Sequence, residues 1–256
     1  MADIQLSGVR KAFGGNVALN GLDLEVKDGE FFILLGQTGA GKTTTLRVIA
    51  GLEKPDTGQV FINGEDVAGL NAAERDVALV LQQYSLYPRL TVRGNLEFPL
   101  KAKIRKMGRD EIAKRVDEAA RILQITHLLD RKVERLSGGE MQRVSIGRAI
   151  VREPKVFLMD EPLSALDAKL REALRVELKH LHNRLGATFL FVTHDQVEAM
   201  SMGDKIGVLR NGKLVQVDSR KLFDIKEFDL LVLQGTGTFS KDDTLIINAS
   251  KIFVTR

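Results

Sequence analysis

Residues 31–46 read FFILLGQTGAGKTTTL, and this stretch decides the fold. Phe31-Phe32-Ile33-Leu34-Leu35 is a continuous apolar run of the kind that forms a strand buried on both faces of a parallel sheet. It stops at Gly36. From there Gly36-Gln37-Thr38-Gly39-Ala40-Gly41-Lys42-Thr43 fits the pattern G-x-x-x-x-G-K-S/T, and Thr44 leads into a helical pattern. Glycines in such a loop let backbone N–H groups wrap phosphates at a helix N-terminus, where the dipole favours anions. Lys42 is expected to reach the β- and γ-phosphates of a nucleotide, and the Thr43 hydroxyl to bind Mg²⁺. The bland alternative is a glycine-rich turn ending in a helix cap, but the strand before it and the helix after it argue for the phosphate loop.

Two further apolar runs end in chemistry. Val156-Phe157-Leu158-Met159 stops at Asp160-Glu161-Pro162, and Thr188-Phe189-Leu190-Phe191-Val192 stops at Thr193-His194-Asp195. Between the runs lie amphipathic patterns: Leu170, Leu174, Leu178, Leu181 and Leu185 form one helical stripe, and Ile112, Val116, Ala119 and Leu123 another. Alternating strands and helices predict an α/β fold with a parallel sheet, whose ligands sit beyond the carboxyl ends of the strands. All three polar clusters then face one crevice. Asp160 is expected to hold a magnesium shell, and Glu161 to orient or deprotonate an attacking water. A pair of solvated carboxylates in a turn is the plainer reading of the two acids. His194 is aimed by its strand at the γ-phosphate region, whereas His127, His180 and His182 read as structural.

Composition narrows the class. The 256 residues suit one large α/β domain or two small ones, with 44% hydrophobic and 28% charged residues, as in ordinary soluble globular proteins. Thirty-eight basic residues against 34 acidic give a net +4, too mild to argue for a nucleic-acid partner. The absence of cysteine excludes disulfides, thiolate metal sites and cysteine catalysis. MADIQLSGVRKAFGG lacks a signal-peptide core, and no apolar run nears the ~20 residues of a membrane span. A cytosolic protein able to dock on a membrane protein is expected.

The stretch RLSGGEMQRVSIGRAI, residues 135–150, opens a helix with two glycines. Glycine costs about 1 kcal/mol against alanine inside a helix. Ser137 and Glu140 form a capping-box pattern, which explains both of them but not Gly138 and Gly139 between them. Two missing side chains at a positive helix end would let a second polyanion approach the backbone.

With these clusters placed, the chain resembles the nucleotide-binding subunit of ABC transporters. Leu136-Ser137-Gly138-Gly139-Glu140 is similar to that family's LSGGQ signature; Gln82 matches the glutamine loop, Ser164-Ala165-Leu166-Asp167 the loop after the acids, His194 the switch histidine, and Phe13 the aromatic that stacks on adenine. The likeness runs from about residue 3 to 217. It is closest to the subset energising carbohydrate and glycerol-phosphate importers, through QQYSLYP (82–88), EPLS (161–164) and THDQVEAM (193–200). The resemblance implies a P-loop NTPase (RecA-like) core with an N-terminal antiparallel β-subdomain and an inserted α-helical subdomain at about 88–150, the whole ATPase domain spanning 1–220. It implies ATP and Mg²⁺, with Gln82, Asp160 and Thr43 around the metal and water, and Glu161, His194 and Gln82 as catalytic residues. ATP is preferred over GTP, because the guanine-reading N-K-x-D motif is absent. Ser137, Gly138 and Gly139 would contact the γ-phosphate held by a partner, in a head-to-tail homodimer or heterodimer of ATPase subunits. Tyr84, Leu86 and Tyr87 would lie near the docking surface for integral membrane permease subunits. A solute-binding protein would act indirectly, with the chain peripheral on the cytoplasmic face of the inner membrane.

The sequence departs from the family in four places. Phe13 replaces the usual tyrosine or tryptophan, Glu140 replaces glutamine in the signature, and Ala165 replaces asparagine. Beyond Val217 the likeness fades, where the subset continues into a regulatory β-rich domain. Residues 221–256 read as a short β-rich tail, a remnant of that domain, with strands at 230–233, 244–247 and 252–254. A truncated, silent scaffold is the rival reading, although every catalytic position of the core is intact. A non-transport ABC ATPase is another, although repair types carry a coiled-coil insertion with cysteines and translation types carry two cassettes.

Overall fold

A computed structural model describes residues 2–102 and 107–219. Strands β1 (Ile4–Phe13) and β2 (Asn16–Val26) form an antiparallel hairpin, turned by Gly14 and Gly15. After β3 (Phe31–Leu35) and α1 (Lys42–Ile49), β4 (Thr57–Ile62) and β5 (Glu65–Asp66) return to the hairpin. Together they make a four-stranded sheet in the order β2-β1-β4-β5. Next comes β6 (Val77–Val80), then α2 (Val92–Glu97), α3 (Arg109–Ile122) and α4 (Gly138–Ile150). The chain closes with β7 (Val156–Asp160), α5 (Ala168–Leu185), β8 (Thr188–Thr193), α6 (Gln196–Met202), β9 (Lys205–Arg210) and β10 (Lys213–Ser219).

The second sheet has the order β10-β9-β3-β8-β7-β6, parallel throughout except for the antiparallel edge strand β10. Three of its strands are the apolar runs of the sequence, and they stand side by side as β3-β8-β7. Their alternate residues feed two cores. Phe31, Ile33, Leu35, Phe157, Met159, Phe189 and Phe191 meet the helices on one face. Phe32, Leu34, Val156, Leu158, Leu190 and Val192 meet α1 and the antiparallel sheet on the other. Helices α2 to α4 are inserted between β6 and β7, which nevertheless pair directly, Val77 opposite Val156. Their residues Leu96, Val116, Leu123 and Val144 belong to the first core, so the insertion is packed onto the sheet rather than tethered beside it.

Helix α5 shows how local chemistry sets the ends. The Asp167 carboxylate accepts the Leu170 N–H at 2.9 Å, and Gly186 closes the far end in the left-handed region at φ 60°. Its buried stripe is Leu174, Leu178 and Leu181, with Leu170 and Leu185 half-buried. The strands expected at 230–233, 244–247 and 252–254 lie outside the described residues. Both cores already enclose the central strands with residues from 2 to 209. A chain ended after about residue 220 is therefore expected to stay soluble and to melt in one cooperative transition; calorimetry showing loss of that transition would make the tail part of the core.

Candidate functional site

The loop between β3 and α1 is wedged between the two sheets. A Cβ on Gly36 would lie 2.6 Å from the Leu209 carbonyl oxygen, and one on Gly41 2.4 Å from that of Ala18. Gly41 is also at φ 107°, so only glycine fits there. Gly212 N–H donates to the Ala40 carbonyl at 3.0 Å, and Gly212 O accepts from Asn20, which ties β2 and the β9–β10 turn to the loop. Gln37, Thr38 and Gly39 are exposed at its crest, and Thr44 is half-buried in the first turn of α1. No side chain caps that helix, which leaves its N-terminal end available to an anion.

Lys42 is 5% exposed. Its ammonium donates to the carbonyls of Gly36 (2.9 Å) and Gln37 (3.1 Å), and it pairs with Glu161 Oε1 at 3.3 Å. Glu161 Oε2 lies 3.0 Å from His194 Nδ1. Lysine, glutamate and histidine thus form one line across the carboxyl ends of β3, β7 and β8. Glu161 sits at φ 46°, unusual for a residue with a Cβ. Its N–H donates to Val192 O at 3.1 Å, and its carbonyl accepts both Ser164 N–H (3.2 Å) and Ser164 Oγ–H (2.9 Å). Backbone strain held by such surroundings is a mark of functional positions.

Asp160 is 4% exposed, and the Thr43 hydroxyl donates to its Oδ1 at 3.1 Å. Burial pushes the Asp160 carboxyl above its ordinary range; the Thr43 hydrogen bond opposes that rise, and the Glu161 charge adds to it. A desolvated carboxylate beside a hydroxyl is a hard-oxygen pair of the kind Mg²⁺ accepts, the ion taking its remaining ligands from phosphates and water. No cluster of three or more His, Cys, Asp or Glu ligands exists among the described residues, so a metal here would depend on the nucleotide.

The remaining expected residues fall at the rim. Phe13 ends β1 at the tip of the hairpin, 45% exposed, with the Lys11 ammonium 5.2 Å from its ring centroid. The same hairpin supplies the Ala18 carbonyl against Gly41, so the exposed ring is carried by the strand pair that touches the loop. Gln82 lies two residues beyond β6, at the same end of the sheet as Asp160, but its side chain is exposed and hydrogen-bonds to no described residue. No hydrogen bond joins it to Thr43 or Asp160 in this structure.

The signature helix begins as its sequence predicts. Glu140 N–H donates to Ser137 Oγ at 3.3 Å, and Ser137 N–H donates to Glu140 Oε2 at 2.7 Å. That second bond holds the Glu140 carboxyl below the ordinary carboxylate value of 4.5, against a smaller upward push from burial. The glycines also have a reason within the chain, which the sequence did not reveal. A Cβ on Gly138 would come 3.1 Å from the Tyr84 hydroxyl, and one on Gly139 3.3 Å from Leu166 and Leu170. Around Tyr84, residues 85–87 are pinned by groups no pattern had singled out. Buried Asn95 exchanges hydrogen bonds with the Tyr87 backbone at 2.8 and 3.1 Å, and Arg148 bonds the Ser85 carbonyl and lies over the Tyr87 ring at 4.7 Å.

A larger cavity, about 200 Å³, lies away from this line, between α3 and the ends of α4 and α5. Its charges satisfy one another, Arg115 with Glu153 and Arg184 with Glu118, both at 3.0 Å, so it presents no chemistry to rival the loop.

Residues 19–164 match the ABC transporter family. The chain belongs to that family. It is 56% identical over 225 residues to the trehalose/maltose import ATP-binding protein MalK of Thermococcus litoralis, covering 86% of this chain and 60% of that one. To the sn-glycerol-3-phosphate import ATP-binding protein UgpC of Cupriavidus necator it is 53% identical over 218 residues, covering 85% of this chain and 59% of the other. The chain therefore spans about 60% of the length of the curated relatives it matches. Among solved structures, the ATP-binding cassette MJ0796, dimeric and bound to ADP and Pi, superposes with a TM-score of 0.79 at 34% identity, covering 86% of this chain and 100% of that one. The α/β cassette fold and the likeness to importer ATPases are thus shown, and among the described residues no helix is long and apolar enough to cross a membrane.

The capping box gives this family signature a pH signature of its own. Because the folded Glu140 value is depressed, its stabilisation is full above the unfolded value near 4.5 and is lost as pH falls through the folded one. Replacing Glu140 with glutamine is expected to flatten the acid limb of the stability–pH curve without changing stability near pH 7 by more than about 1 kcal/mol. An acid limb that matches wild type would remove Glu140 from that role.

Proposed function

We propose that this ABC protein hydrolyses ATP to energise an importer for sugars or related polar solutes. The observation that carries the reading is the line from Lys42 through Glu161 to His194, standing on an uncapped helix end. Lys42 and the loop amides would bind the phosphates, and Phe13 would stack on the adenine. A polyanion arriving at Lys42 would draw the ammonium away from Glu161. The freed carboxylate, oriented through His194, would then accept a proton from the attacking water. Mg²⁺, held by Thr43 and Asp160, would supply charge neutralisation at the phosphates when bound. Gln82, exposed here, would have to swing inward to join them, as a residue at the hinge into the helical subdomain can.

Ser137, Gly138 and Gly139 would face the nucleotide of a second ATPase subunit, in keeping with the dimeric cassette it superposes on. Permease subunits would dock near Tyr87, where its ring and that of Phe98 pack 4.2 Å apart and remain 38% and 48% exposed. Such a chain would sit on the cytoplasmic face of the membrane.

Two tests follow from these assignments. Glu161→Gln should bind ATP with unchanged affinity while turnover falls by about 10²–10⁴; near-wild-type turnover would reject the general base. Gly138→Asp should bind ATP yet neither dimerise on it nor hydrolyse it. Mixing it with Lys42→Ala, each inactive alone, puts both lesions in one composite site of the mixed dimer and leaves the other intact. Recovered ATPase activity on mixing is the expected result, and a Gly138→Asp protein that dimerises and turns over normally by itself would refute the shared site.

A further inference from the structure

A buried carboxylate behind the catalytic line has no part in the reaction as described. Glu198, in the first turn of α6, is 3% exposed. Its Oε2 accepts the Thr193 hydroxyl at 2.7 Å, and that same hydroxyl accepts the Asp195 N–H at 2.9 Å. The turn 193–195, with His194 at its centre, is thereby closed on a side chain. Its other oxygen, Oε1, lies 4.0 Å from Arg171 Nε. Arg171, in the first turn of α5, donates to the carbonyls of Leu166 (2.8 Å) and Leu163 (3.3 Å), the loop that leaves Glu161. Ser164 closes the start of that loop onto the Glu161 carbonyl. A cleft of about 60 Å³ lies among Glu161, Ser164, Arg171, Thr193, His194, Asp195 and Glu198.

The segments that carry Glu161 and His194, residues 33 positions apart, are thus joined behind their direct contact by a buried carboxylate facing a half-buried guanidinium. A buried carboxylate is costly unless it is hydrogen-bonded and faced by a cation. Both conditions hold here, and both partners belong to segments that carry a catalytic side chain. We propose that Glu198 and Arg171 are positioning residues, which fix the separation of Glu161 and His194 by clamping the loop after β7 to the turn after β8. Neither needs to touch the nucleotide for this. The clamp rests on the ATPase reading for its consequence in turnover, but not for its existence.

The test has one arm for each. In the free protein, the His194 ring proton resonance is assigned by its loss in His194→Gln, against the three other histidines. Glu198→Ala and Thr193→Val are each expected to shift it, leaving those of His127, His180 and His182 in place. An unmoved His194 resonance in both variants overturns the clamp whether or not the chain hydrolyses ATP. In turnover, Glu198→Ala should lose at least about tenfold in kcat with ATP affinity within about twofold, since misplacement by an ångström has effects of this order. Glu198→Gln keeps an acceptor for the Thr193 hydroxyl and should recover part of the loss. Added to Glu161→Gln, Glu198→Ala should cost less than about twofold further, because the groups act through one another. Losses that simply multiply, or fall on ATP affinity instead of kcat, would show a general folding role and overturn the proposal. A wild-type chain without ATPase activity would reject the function proposed above and leave the resonance arm to decide the clamp.

Discussion

The ammonium of Lys42 is the group around which the site is arranged. Buried almost completely, it needs compensation, and two loop carbonyls with the Glu161 carboxylate provide it. Breaking a buried pair by removing one member typically costs about 3–5 kcal/mol. Glu161 therefore cannot act freely while Lys42 has no other anion to face. In the proposed reaction the pair would keep the carboxylate occupied until a phosphate arrived, linking water activation to the presence of substrate. Asp160, pushed toward its neutral form by burial and only partly offset by the Thr43 hydroxyl and the Lys42 and Arg47 charges, would gain further compensation from a bound cation.

That arrangement requires β3, β8 and β7 to be neighbours, since Lys42, His194 and Glu161 hang from their ends. The packing enforces the order. Each of the three strands splits its apolar side chains between two cores, so a shift of one residue in register would exchange every core contact. The antiparallel sheet does more than cover α1. Through the Ala18 carbonyl against Gly41 and the Asn20–Gly212–Ala40 hydrogen bonds, it sets the height of the loop itself.

Much of this was legible in the sequence for a definite reason. Strands buried on both faces are apolar without interruption, and each ends on residues that cannot belong to a core. The neighbours β6 and β9 were not singled out: β6 is four residues long, and β9 begins and ends on basic residues. The roles proposed for Glu198 and Arg171 were hidden because each hydrogen-bonds only to groups within eight residues of itself, and their approach to one another at 4.0 Å depends on how α5 and α6 pack. Gln82 could be placed at a strand end by resemblance, but where its side chain points depends on loop packing that no periodicity records. The same holds for Gly138 and Gly139, whose crowding by Tyr84, Leu166 and Leu170 comes from residues 27 to 54 positions away.

The crowding changes what the signature glycines can be taken to mean. A contact within the chain at about 3.1–3.3 Å asks a neighbouring side chain to give by a few tenths of an ångström, and the Tyr84 hydroxyl and the leucine methyls are ends of flexible groups. Such contacts disfavour a Cβ without forbidding it, in contrast to the backbone approaches at Gly36 and Gly41. Glycine at 138 and 139 is thus not fully accounted for by the chain alone, and the proposed approach of an anion to the helix end from outside would supply the stronger demand. Glu140 would be a liability beside that anion if its charge pointed outward. Folded back onto the Ser137 N–H, it spends its negative charge on the first turn of its own helix, and the signature can carry glutamate where a neutral amide is usual.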